Sequence, residues 1–214
     1  MPSTSAPSGL FIAFEGGEGA GKSTQAALLE RWLAEAGYDV VLTREPGGTP
    51  VGSALRRILL DQATGDLSPR TEALVYAADR AEHVHSVIRP ALERGSVVIT
   101  DRYVDSTLAY QGAGRSIDRA VLEHLAQLAT GGLRPHLTIV LHVEPAEGLA
   151  RAGEHDRIES EPIDFHLRVS HEFLRLAALD PERYLVVRPL DDPEATHKPI
   201  RAAVEALLSR VAPT

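Results

Sequence analysis

The sequence predicts an α/β fold in which a central five-stranded parallel sheet is flanked by helices in three layers. Five short apolar runs alternate with segments of helical periodicity, and no internal repeat interrupts them. Strands separated by helices favour parallel pairing with helices on both faces of the sheet. The length of 214 residues suits one domain. Ligands of such sheets bind beyond the carboxyl ends of the strands, so the loops that follow the strands are expected to share one functional rim.

The first half of the chain supplies three of the predicted strands. The strands are residues 10–15, 39–43 and 96–100, and the helices are residues 22–36, 51–60 and 69–93. Gly37 and Gly95 stand where glycine commonly ends a helix. Residues 45–50, Glu-Pro-Gly-Gly-Thr-Pro, form a loop by composition.

The second half continues the alternation of strands and helices. The strands are residues 137–143 and 184–187, and the helices are residues 117–130, 145–152, 165–179 and 199–211. A polar stretch, residues 153–162, separates two of these helices. We expect a flexible tail at residues 1–9 and a single domain over residues 10–212.

The bulk properties exclude several classes of protein. The formal net charge of −8 argues against general nucleic-acid binding, which needs a basic face. The longest apolar runs are too short to span a membrane, and the N-terminus lacks the pattern of a signal peptide. The chain has no cysteine, which rules out disulfides and thiolate metal sites. We therefore expect a cytoplasmic protein with neither a membrane nor a nucleic acid as partner.

The segment between the first strand and the first helix carries the strongest motif. Residues 16–23 read Gly-Gly-Glu-Gly-Ala-Gly-Lys-Ser, which matches the phosphate-binding loop G-x-x-x-x-G-K-[ST]. Backbone N–H groups of such a loop and the helix N-terminus point at a phosphate. Lys22 would reach the β- and γ-phosphates of a nucleoside triphosphate, and Ser23 would ligate Mg²⁺. The expected nucleotide-binding residues are Gly16, Gly17, Glu18, Gly19, Ala20, Gly21, Lys22, Ser23 and Thr24.

The alternative to a phosphate loop is a glycine-rich turn with an exposed lysine. A cation at the positive end of a helix is unfavourable without an anion nearby, which counts against that alternative. The chain has only two lysines, so the position of Lys22 is informative. A switch GTPase usually carries an N-K-x-D guanine-binding string, which is absent here. A motor or helicase would normally be larger or basic. The residues thus predict a P-loop NTPase fold.

Asp101 and Arg102 directly follow the predicted strand 96–100. An acid at the end of a buried strand beside a phosphate loop can hold Mg²⁺ through water. An adjacent arginine can bind a phosphate with two hydrogen bonds. The structural alternative is a surface turn with an internal ion pair. From the residues alone, the chain is a magnesium-dependent phosphotransferase or NTPase with an arginine-rich second anion site.

Six segments in a fixed order carry a more specific resemblance. They are residues 16–23, 43–49 (Thr-Arg-Glu-Pro-Gly-Gly-Thr), 76–81 (Tyr-Ala-Ala-Asp-Arg-Ala), 101–103 (Asp-Arg-Tyr), 106–112 (Ser-Thr-Leu-Ala-Tyr-Gln-Gly) and 156–159 (Asp-Arg-Ile-Glu). Together they resemble bacterial thymidylate kinases over about residues 10–211. The resemblance implies transfer of the γ-phosphoryl group of ATP to dTMP with Mg²⁺, giving dTDP in dTTP biosynthesis. It also implies a homodimer.

The resemblance further implies a dTMP site. Its residues are Glu18, Arg44, Pro46, Arg56, Tyr76, Arg80, Arg102, Ser106, Thr107, Tyr110 and Gln111. Arg44 and Arg102 correspond to arginines near the dTMP phosphate, and Arg56 would reach the same end of the site. Tyr76 corresponds to the ring that stacks on thymine, and Arg80 to the donor for a base carbonyl.

The remaining members of the implied site carry the sugar and base contacts. Tyr110 would pack against the deoxyribose, and Ser106, Thr107 and Gln111 would contact the base. Structural alternatives stand beside these roles. Either tyrosine can be a core aromatic, Arg80 can pair with its neighbour Asp79 on a helix surface, and Ser106 can be the N-cap of a short helix.

The catalytic set combines the phosphate loop with a lid. Residues 17–20 contain no arginine, so the chain resembles the class of the family that supplies arginines from the lid. Residues 151–161 would form that lid, with Arg151 and Arg157 closing over the triphosphate; the alternative makes them ordinary surface charges. The implied catalytic residues are Lys22, Arg102, Arg151, Arg157 and Glu18, and the implied metal ligands are Ser23, Asp101 and Glu18.

Two features depart from the family pattern. The lid is short and contains acids, and His142 stands where relatives usually have Asp. We expect a structural role for His142. Two rival functions remain open at this point. One is a relative that phosphorylates another monophosphate or a deoxynucleoside, and the other is a nucleotide-binding protein with little turnover.

Overall fold

A computed structural model of the chain describes residues 9–152 and 156–211. Its five strands are β1 (Leu10–Gly16), β2 (Val40–Arg44), β3 (Val97–Asp101), β4 (Leu137–Leu141) and β5 (Tyr184–Val187). All neighbouring strands pair in parallel, in the order β2-β3-β1-β4-β5. The predicted five-stranded parallel sheet is confirmed.

Helices connect the strands and cover both faces of the sheet. They are α1 (Lys22–Glu35), α2 (Pro50–Leu60), α3 (Pro69–His83), α4 (Arg89–Glu93), α5 (Val104–Thr107), α6 (Arg119–Thr130), α7 (Pro145–Ala152), α8 (Ile163–Leu179) and α9 (Pro193–Val211). The side chains of Thr49, Ser68 and Asp118 accept hydrogen bonds from the first backbone N–H groups of α2, α3 and α6. Short polar caps therefore fix where these helices begin.

Strand β1 lies at the centre of the sheet and is buried along its whole length. Phe14 and other alternate residues of β1 pack toward a core shared with α1 and α9. Phe11 faces the opposite core, beside Ile88 and Leu92. Burial on both faces explains why the sequence of β1 is a continuous apolar run rather than an alternating one.

The strand register brings the functional rim together. Phe14 and Arg44 both pair with Asp101, and Gly16 pairs with Leu141. The carboxyl ends of β1, β2 and β3 therefore lie at one level. This placement puts the phosphate loop next to the segment that contains Asp101, as the parallel topology predicts.

Three helical segments differ from the prediction. Residues 69–93 do follow a helical path, but α3 and α4 are joined by a π-helical segment, Val84–Ile88. Residues 104–114, which lie outside the predicted strands and helices, form α5 and a second π-helical segment, Leu108–Gly114. Helix α9 begins at Pro193, six residues before the predicted start, and Pro199 lies inside it. The side chain of Asp192 accepts hydrogen bonds from the N–H groups of Glu194 and Ala195, at 3.0 and 3.3 Å, which fixes the earlier start.

The predicted N-terminal tail lies outside the described residues except for Gly9. The N–H group of Gly9 donates to the carbonyl of Leu92 at 3.0 Å, so this residue packs with the domain. Among residues 9–152 and 156–211, no helix has the length and apolar character needed to cross a membrane.

Candidate active site

The phosphate loop connects β1 to α1, and its glycines meet two distinct demands. Gly16 and Gly21 adopt positive φ angles of 132° and 85°, which L side chains rarely tolerate. Gly19 is required for space as well, because a Cβ atom there would lie 2.0 Å from the carbonyl oxygen of Gly148. Helix α7, which contains Gly148, therefore packs directly against the phosphate loop.

Lys22 begins α1 and is buried, with only 7% of its surface exposed. Its Nζ donates to the carbonyls of Gly16 and Gly17 at 3.2 and 2.7 Å. Burial lowers the pKa of the ammonium and the nearby Arg102 lowers it further, whereas Glu18 raises it. The alternative of an exposed lysine in a turn is wrong, and the predicted contact of Lys22 with the β- and γ-phosphates stays a prediction.

Ser23 and Asp101 meet at the end of β3, as expected for a magnesium site. The Ser23 hydroxyl donates to Asp101 Oδ2 at 2.6 Å, and the neighbouring Thr24 is exposed. Oxygen ligands of this kind suit Mg²⁺, which binds one or two carboxylates together with substrate phosphates and water. Nowhere in the described part of the chain do three or more His, Cys, Asp or Glu side chains form a metal-binding group. A Mg²⁺ ion held by Ser23 and Asp101 would complete its shell with nucleotide phosphates and water.

Glu18, the third predicted metal ligand, is engaged by a different group. Arg102 Nη2 donates to both Glu18 oxygens, at 2.9 and 2.8 Å, and the Tyr110 hydroxyl donates to Oε1 at 2.7 Å. Burial alone would raise the pKa of Glu18, but Arg102 and Lys22 lower it to about 2. Glu18 is thus an ionised carboxylate, held by an arginine, at the junction of the two predicted sites.

Arg102 occupies a strained backbone position with a φ of 73°. Its Nη1 donates to the carbonyl of Gly16 at 3.1 Å and to Ser106 Oγ at 3.2 Å. The suggested internal ion pair of a surface turn is wrong, because Arg102 pairs with Glu18 while Asp101 bonds to Ser23. Arg102 contacts the phosphate loop and the following helix at the same time.

Glu15 is a buried carboxyl group that was not predicted as a site residue, and it holds the segment that follows Arg102. Glu15 accepts from the backbone N–H groups of Tyr103 and Ser106, at 2.8 and 3.1 Å, and from the Ser106 hydroxyl at 2.6 Å. It therefore caps the start of α5 from a neighbouring strand. Burial and the nearby Asp105 raise the pKa of Glu15 to about 8. The only signal in the sequence is an acid at the end of an otherwise apolar strand.

A cavity of about 120 Å³ lies beside the phosphate loop, between α2, α3, α5 and the segment after α7. Its lining residues are Glu18, Glu45, Arg56, Leu60, Tyr76, Arg80, Arg102, Ser106, Thr107, Tyr110, Gln111, Asp156, Ile158 and Glu159. All the predicted dTMP-site residues line it except Arg44 and Pro46. Arg44 is exposed at the end of β2, and the carbonyl of Pro46 accepts from Arg56 Nη1 at 2.9 Å. The predicted residues therefore converge on one cavity and its adjoining loop.

Arg80 enters the cavity wall from α3 and is 2% exposed. It donates to Glu45 Oε2 at 2.7 Å, to Thr107 Oγ1 at 2.8 Å and to the carbonyl of Tyr103 at 2.8 Å. The suggested surface pair with Asp79 is wrong, since Arg80 is buried and pairs with Glu45. Three bonds leave two of its five N–H groups for a ligand.

The two predicted site tyrosines differ in their surroundings. Tyr76 is half-buried on the cavity wall, and burial raises the pKa of its phenol, which stays neutral. Tyr110 is both a core residue and a cavity residue, because its ring packs against Phe165 and Phe173 with centroids 6.1 Å apart. Ser106 lies inside α5 and not at its N-cap, so that structural alternative is wrong.

The two lid arginines lie in different places. Arg157 donates to Glu72 Oε2 at 2.6 Å and to the carbonyl of Leu59 at 2.8 Å, and its side chain is 9% exposed. The alternative of an ordinary surface charge is therefore wrong for Arg157, and its predicted closure over the triphosphate stays a prediction. Arg151 is half exposed on α7, 3.9 Å from Glu147. Its role stays a prediction, and lid residues 153–155 lie outside the described residues.

His142 follows β4 directly. Its N–H group donates to the carbonyl of Val187 at 2.9 Å, and its Nδ1 lies 3.4 Å from Ser170 Oγ. These contacts support the predicted structural role.

Comparison with known proteins addresses the family directly. A family model described as thymidylate kinase matches residues 14–200. The chain belongs to the thymidylate kinase family. The matched residues include the whole phosphate loop, residues 16–23, and every residue that lines the cavity.

Individual members of the thymidylate kinase family resemble the chain over nearly its full length. The thymidylate kinase of Clavibacter sepedonicus is 51% identical over 94% of this chain and 97% of that protein. That of Leifsonia xyli subsp. xyli is 54% identical over 86% of this chain and 90% of that protein. The crystal structure of thymidylate kinase from Ehrlichia chaffeensis is 33% identical, covers 92% of this chain and 98% of that one, and superposes with a TM-score of 0.78. The chain therefore resembles members of this family in its fold as well as in its sequence.

Proposed function

We propose that the chain transfers the γ-phosphoryl group of ATP to dTMP, giving ADP and dTDP for dTTP synthesis. One observation supports this reaction above the others. The Glu18–Arg102 pair belongs to both sites, because Glu18 lies in the phosphate loop and Arg102 lines the acceptor cavity while bonding to Gly16. A donor phosphate on the loop and an acceptor phosphate in the cavity would therefore meet at this pair.

The chemistry needs little acid–base catalysis, because the attacking phosphate is already an oxyanion. The residues must align the two phosphates, shield their charge and exclude water. Lys22 lies on the donor side and Arg102 at the junction. On the acceptor side, burial and the nearby Arg44 lower the pKa of Arg56, which reflects two guanidinium groups held close together. Such a pair favours a dianionic monophosphate.

Ser23 and Asp101 would hold a Mg²⁺ ion together with the phosphates of ATP. When bound, Mg²⁺ neutralises charge on the β- and γ-phosphates. The Ser23–Asp101 contact of 2.6 Å brings the two oxygen ligands to one place at the mouth of the loop. Titrating Mg²⁺ against turnover tests this assignment, and Asp101→Asn should raise the concentration required.

The reaction is tested by coupled ADP release with Mg-ATP and a panel of acceptors: dTMP, dUMP, UMP, CMP, AMP, GMP and thymidine. Selective turnover of dTMP is the expected result. Turnover of another acceptor without dTMP would make the protein a relative of different specificity. Tight binding of ATP and dTMP without turnover with any acceptor would favour a binding role. Because its substrates are cytoplasmic nucleotides, we also expect a cytoplasmic location.

Tyr76→Ala is expected to weaken dTMP binding by about 1–3 kcal/mol, the size of a lost base–aromatic stacking contact. ATP binding should change little, because Tyr76 lines the acceptor cavity and lies outside the phosphate loop. Isothermal titration with each ligand measures the two effects separately. Tyr38→Ala is the matched control, since Tyr38 is 42% exposed and lies outside the cavity. Equal losses for ATP and dTMP would assign Tyr76 a purely structural role.

We further propose that the protein is a homodimer that uses the exposed face of α3 and α6. Leu74, Val121 and Leu128 are 58%, 57% and 83% exposed on this face and line one broad apolar groove. A contiguous apolar face of this kind is typical of an interface between copies. Sedimentation velocity should give twice the chain mass, and Leu128→Glu should shift the protein toward the monomer. A wild-type monomer at micromolar concentration would contradict the proposal.

A further inference from the structure

Residues 156–161 form one wall of the acceptor cavity, and we call them the acceptor wall. Asp156, Ile158 and Glu159 line the cavity directly. Ile158 is 4% exposed and packs in the same core cluster as Tyr110. Asp156 Oδ1 accepts from the N–H groups of Ile158 and Glu159 at 2.8 and 2.9 Å, which closes the wall into a tight turn. The wall thus belongs to the acceptor site, although the sequence assigns it to the lid.

The N-terminal end of the acceptor wall is held by Arg157. Its backbone N–H donates to the carbonyl of Leu60 at 3.1 Å, and its Nε donates to the carbonyl of Leu59 at 2.8 Å. Its Nη2 donates to Glu72 Oε2 at 2.6 Å. These bonds attach the wall to the end of α2 and to the first turn of α3.

The C-terminal end of the acceptor wall is held through a second arginine. Arg115 Nη1 lies 2.6 Å from Glu161 Oε1. The same guanidinium donates to both oxygens of Glu72, at 3.2 and 3.1 Å. Glu72 therefore binds two arginines, and each of them fixes one end of the wall.

Glu72 also binds a residue expected to contact the base. Gln111 is 1% exposed, lines the cavity, and donates through Nε2 to Glu72 Oε1 at 2.8 Å. A carboxylate can only accept, so it determines which end of the Gln111 amide faces it. Burial alone would raise the pKa of Glu72, but its bonds from Arg115, Gln111 and Arg157 lower it. The carboxylate is thus charged and surrounded by donors.

We propose that Glu72 is a positioning residue for the phosphoryl acceptor, holding the acceptor wall and Gln111 in the arrangement that binds dTMP. Glu72 is fully buried and does not line the cavity, so it acts through Arg157, Arg115 and Gln111. In this arrangement Arg157 serves the acceptor and not the triphosphate. The inference rests on dTMP as the acceptor.

Glu72→Gln keeps the size of the side chain and removes its charge. The new amide has one accepting oxygen and one NH₂ group that only donates, so it cannot accept from both arginines as the carboxylate does. The wall keeps its bonds to Leu59 and Leu60 but loses the charged anchor that Arg157 and Arg115 share. We expect the KM for dTMP to rise about 10- to 100-fold, the range for lost bonds to a buried charge. The KM for ATP should change less than about threefold. Steady-state kinetics with each substrate varied in turn measures this difference.

Two controls separate positioning from general damage. Glu123→Gln makes the same substitution in an exposed Arg–Glu pair outside the acceptor cavity and should leave both KM values unchanged. A purely structural role for Glu72 would lower the melting temperature and the active fraction without changing the KM for dTMP. If Glu72→Gln fails to fold, Arg115→Gln removes only the outer attachment, at a side chain 16% exposed, and should raise the same KM by a smaller factor.

A double-mutant cycle between Glu72 and Arg157 tests the assigned partner. If both residues hold the wall, Arg157→Gln raises the KM for dTMP, and the combined variant is little worse than either single variant. The proposal is overturned if Arg157→Gln lowers kcat, leaves the KM for dTMP unchanged, and adds to the effect of Glu72→Gln. That result would show that Arg157 acts on the triphosphate. Wild-type protein without dTMP turnover would contradict the proposed function itself, whereas active wild type with a normal Glu72→Gln variant contradicts only this inference.

Discussion

Lys22→Ala is expected to lower kcat by at least about 100-fold, the effect of removing one preorganised donor from a developing negative charge. Lys22 is the buried ammonium at the start of α1, and its Nζ lies over the carbonyls of Gly16 and Gly17. Alanine leaves the loop in place but removes the charge that would bind the β- and γ-phosphates. Single-turnover measurements at saturating ATP isolate the chemical step from weakened nucleotide binding.

The second lysine of the chain, Lys198, provides a control for Lys22→Ala. Lys198 is the only other lysine, and it is exposed on α9. Lys198→Ala should therefore match the wild-type kcat and both KM values. Circular dichroism on the Lys22→Ala protein checks that loss of activity is not loss of fold. A folded Lys22→Ala protein with wild-type kcat would disprove the assignment of the phosphate loop.

The sheet and the phosphate loop could be predicted because their signals are local. A strand that is buried on both faces is a continuous apolar run, as in residues 10–14. Gly16 and Gly21 are required by backbone angles that few other residues adopt. Such requirements act within a few residues, so the sequence displays them directly, and the parallel topology then places the loop and Asp101 on one rim.

The supports of the site could not be predicted, because their partners are distant in sequence. Glu15 caps α5, which begins 89 residues further along the chain, and Glu72 binds Arg157, which is 85 residues away in sequence. Nothing in the local sequence distinguishes a buried acid with several donors from a surface charge. The contacts that attach Arg157 to α2 and α3 are equally distant in sequence, so its motif indicates a lid arginine but not these partners.

Two local errors have identifiable physical causes. Residues 104–114 lack a simple helical period, because α5 is a single turn that continues into a π-helical segment. For α9, Pro199 resembles a helix start, yet Pro193 and the cap at Asp192 provide an earlier one. Proline is favourable in the first turn of a helix, so the sequence is compatible with a start at either proline. The helix begins at Pro193, where the side chain of Asp192 caps it.

Arg102→Gln is the second variant with a large expected effect, and it should impair both stability and catalysis. Arg102 makes two bonds to Glu18 and lies 5.0 Å over the ring of Tyr110. Removing one partner of a fully buried ion pair costs about 3–5 kcal/mol of the free energy of unfolding, and the side chains of this pair are 16% and 15% exposed, so we expect a loss at or below the lower end of that range. Urea unfolding at pH 7 measures this loss, and dTMP turnover should fall by at least about 100-fold. Arg119→Gln, which breaks an exposed Arg–Glu pair, should change stability by less than about 1 kcal/mol.

The pH dependence of unfolding identifies Glu18 as the partner. In the folded protein its pKa is about 2, below the ordinary value of 4.5, so Glu18 binds fewer protons when folded than when unfolded. Its contribution is therefore complete above pH 4.5 and is lost as the pH falls toward 2. Arg102→Gln should flatten this acid-dependent loss, because Arg102 lowers the pKa of Glu18 more than any other group does. Adding Glu18→Gln removes the unpaired carboxylate and should recover stability without recovering turnover. An Arg102→Gln protein as stable as wild type, with the same acid profile, would show that the pair does not hold the junction of the two sites.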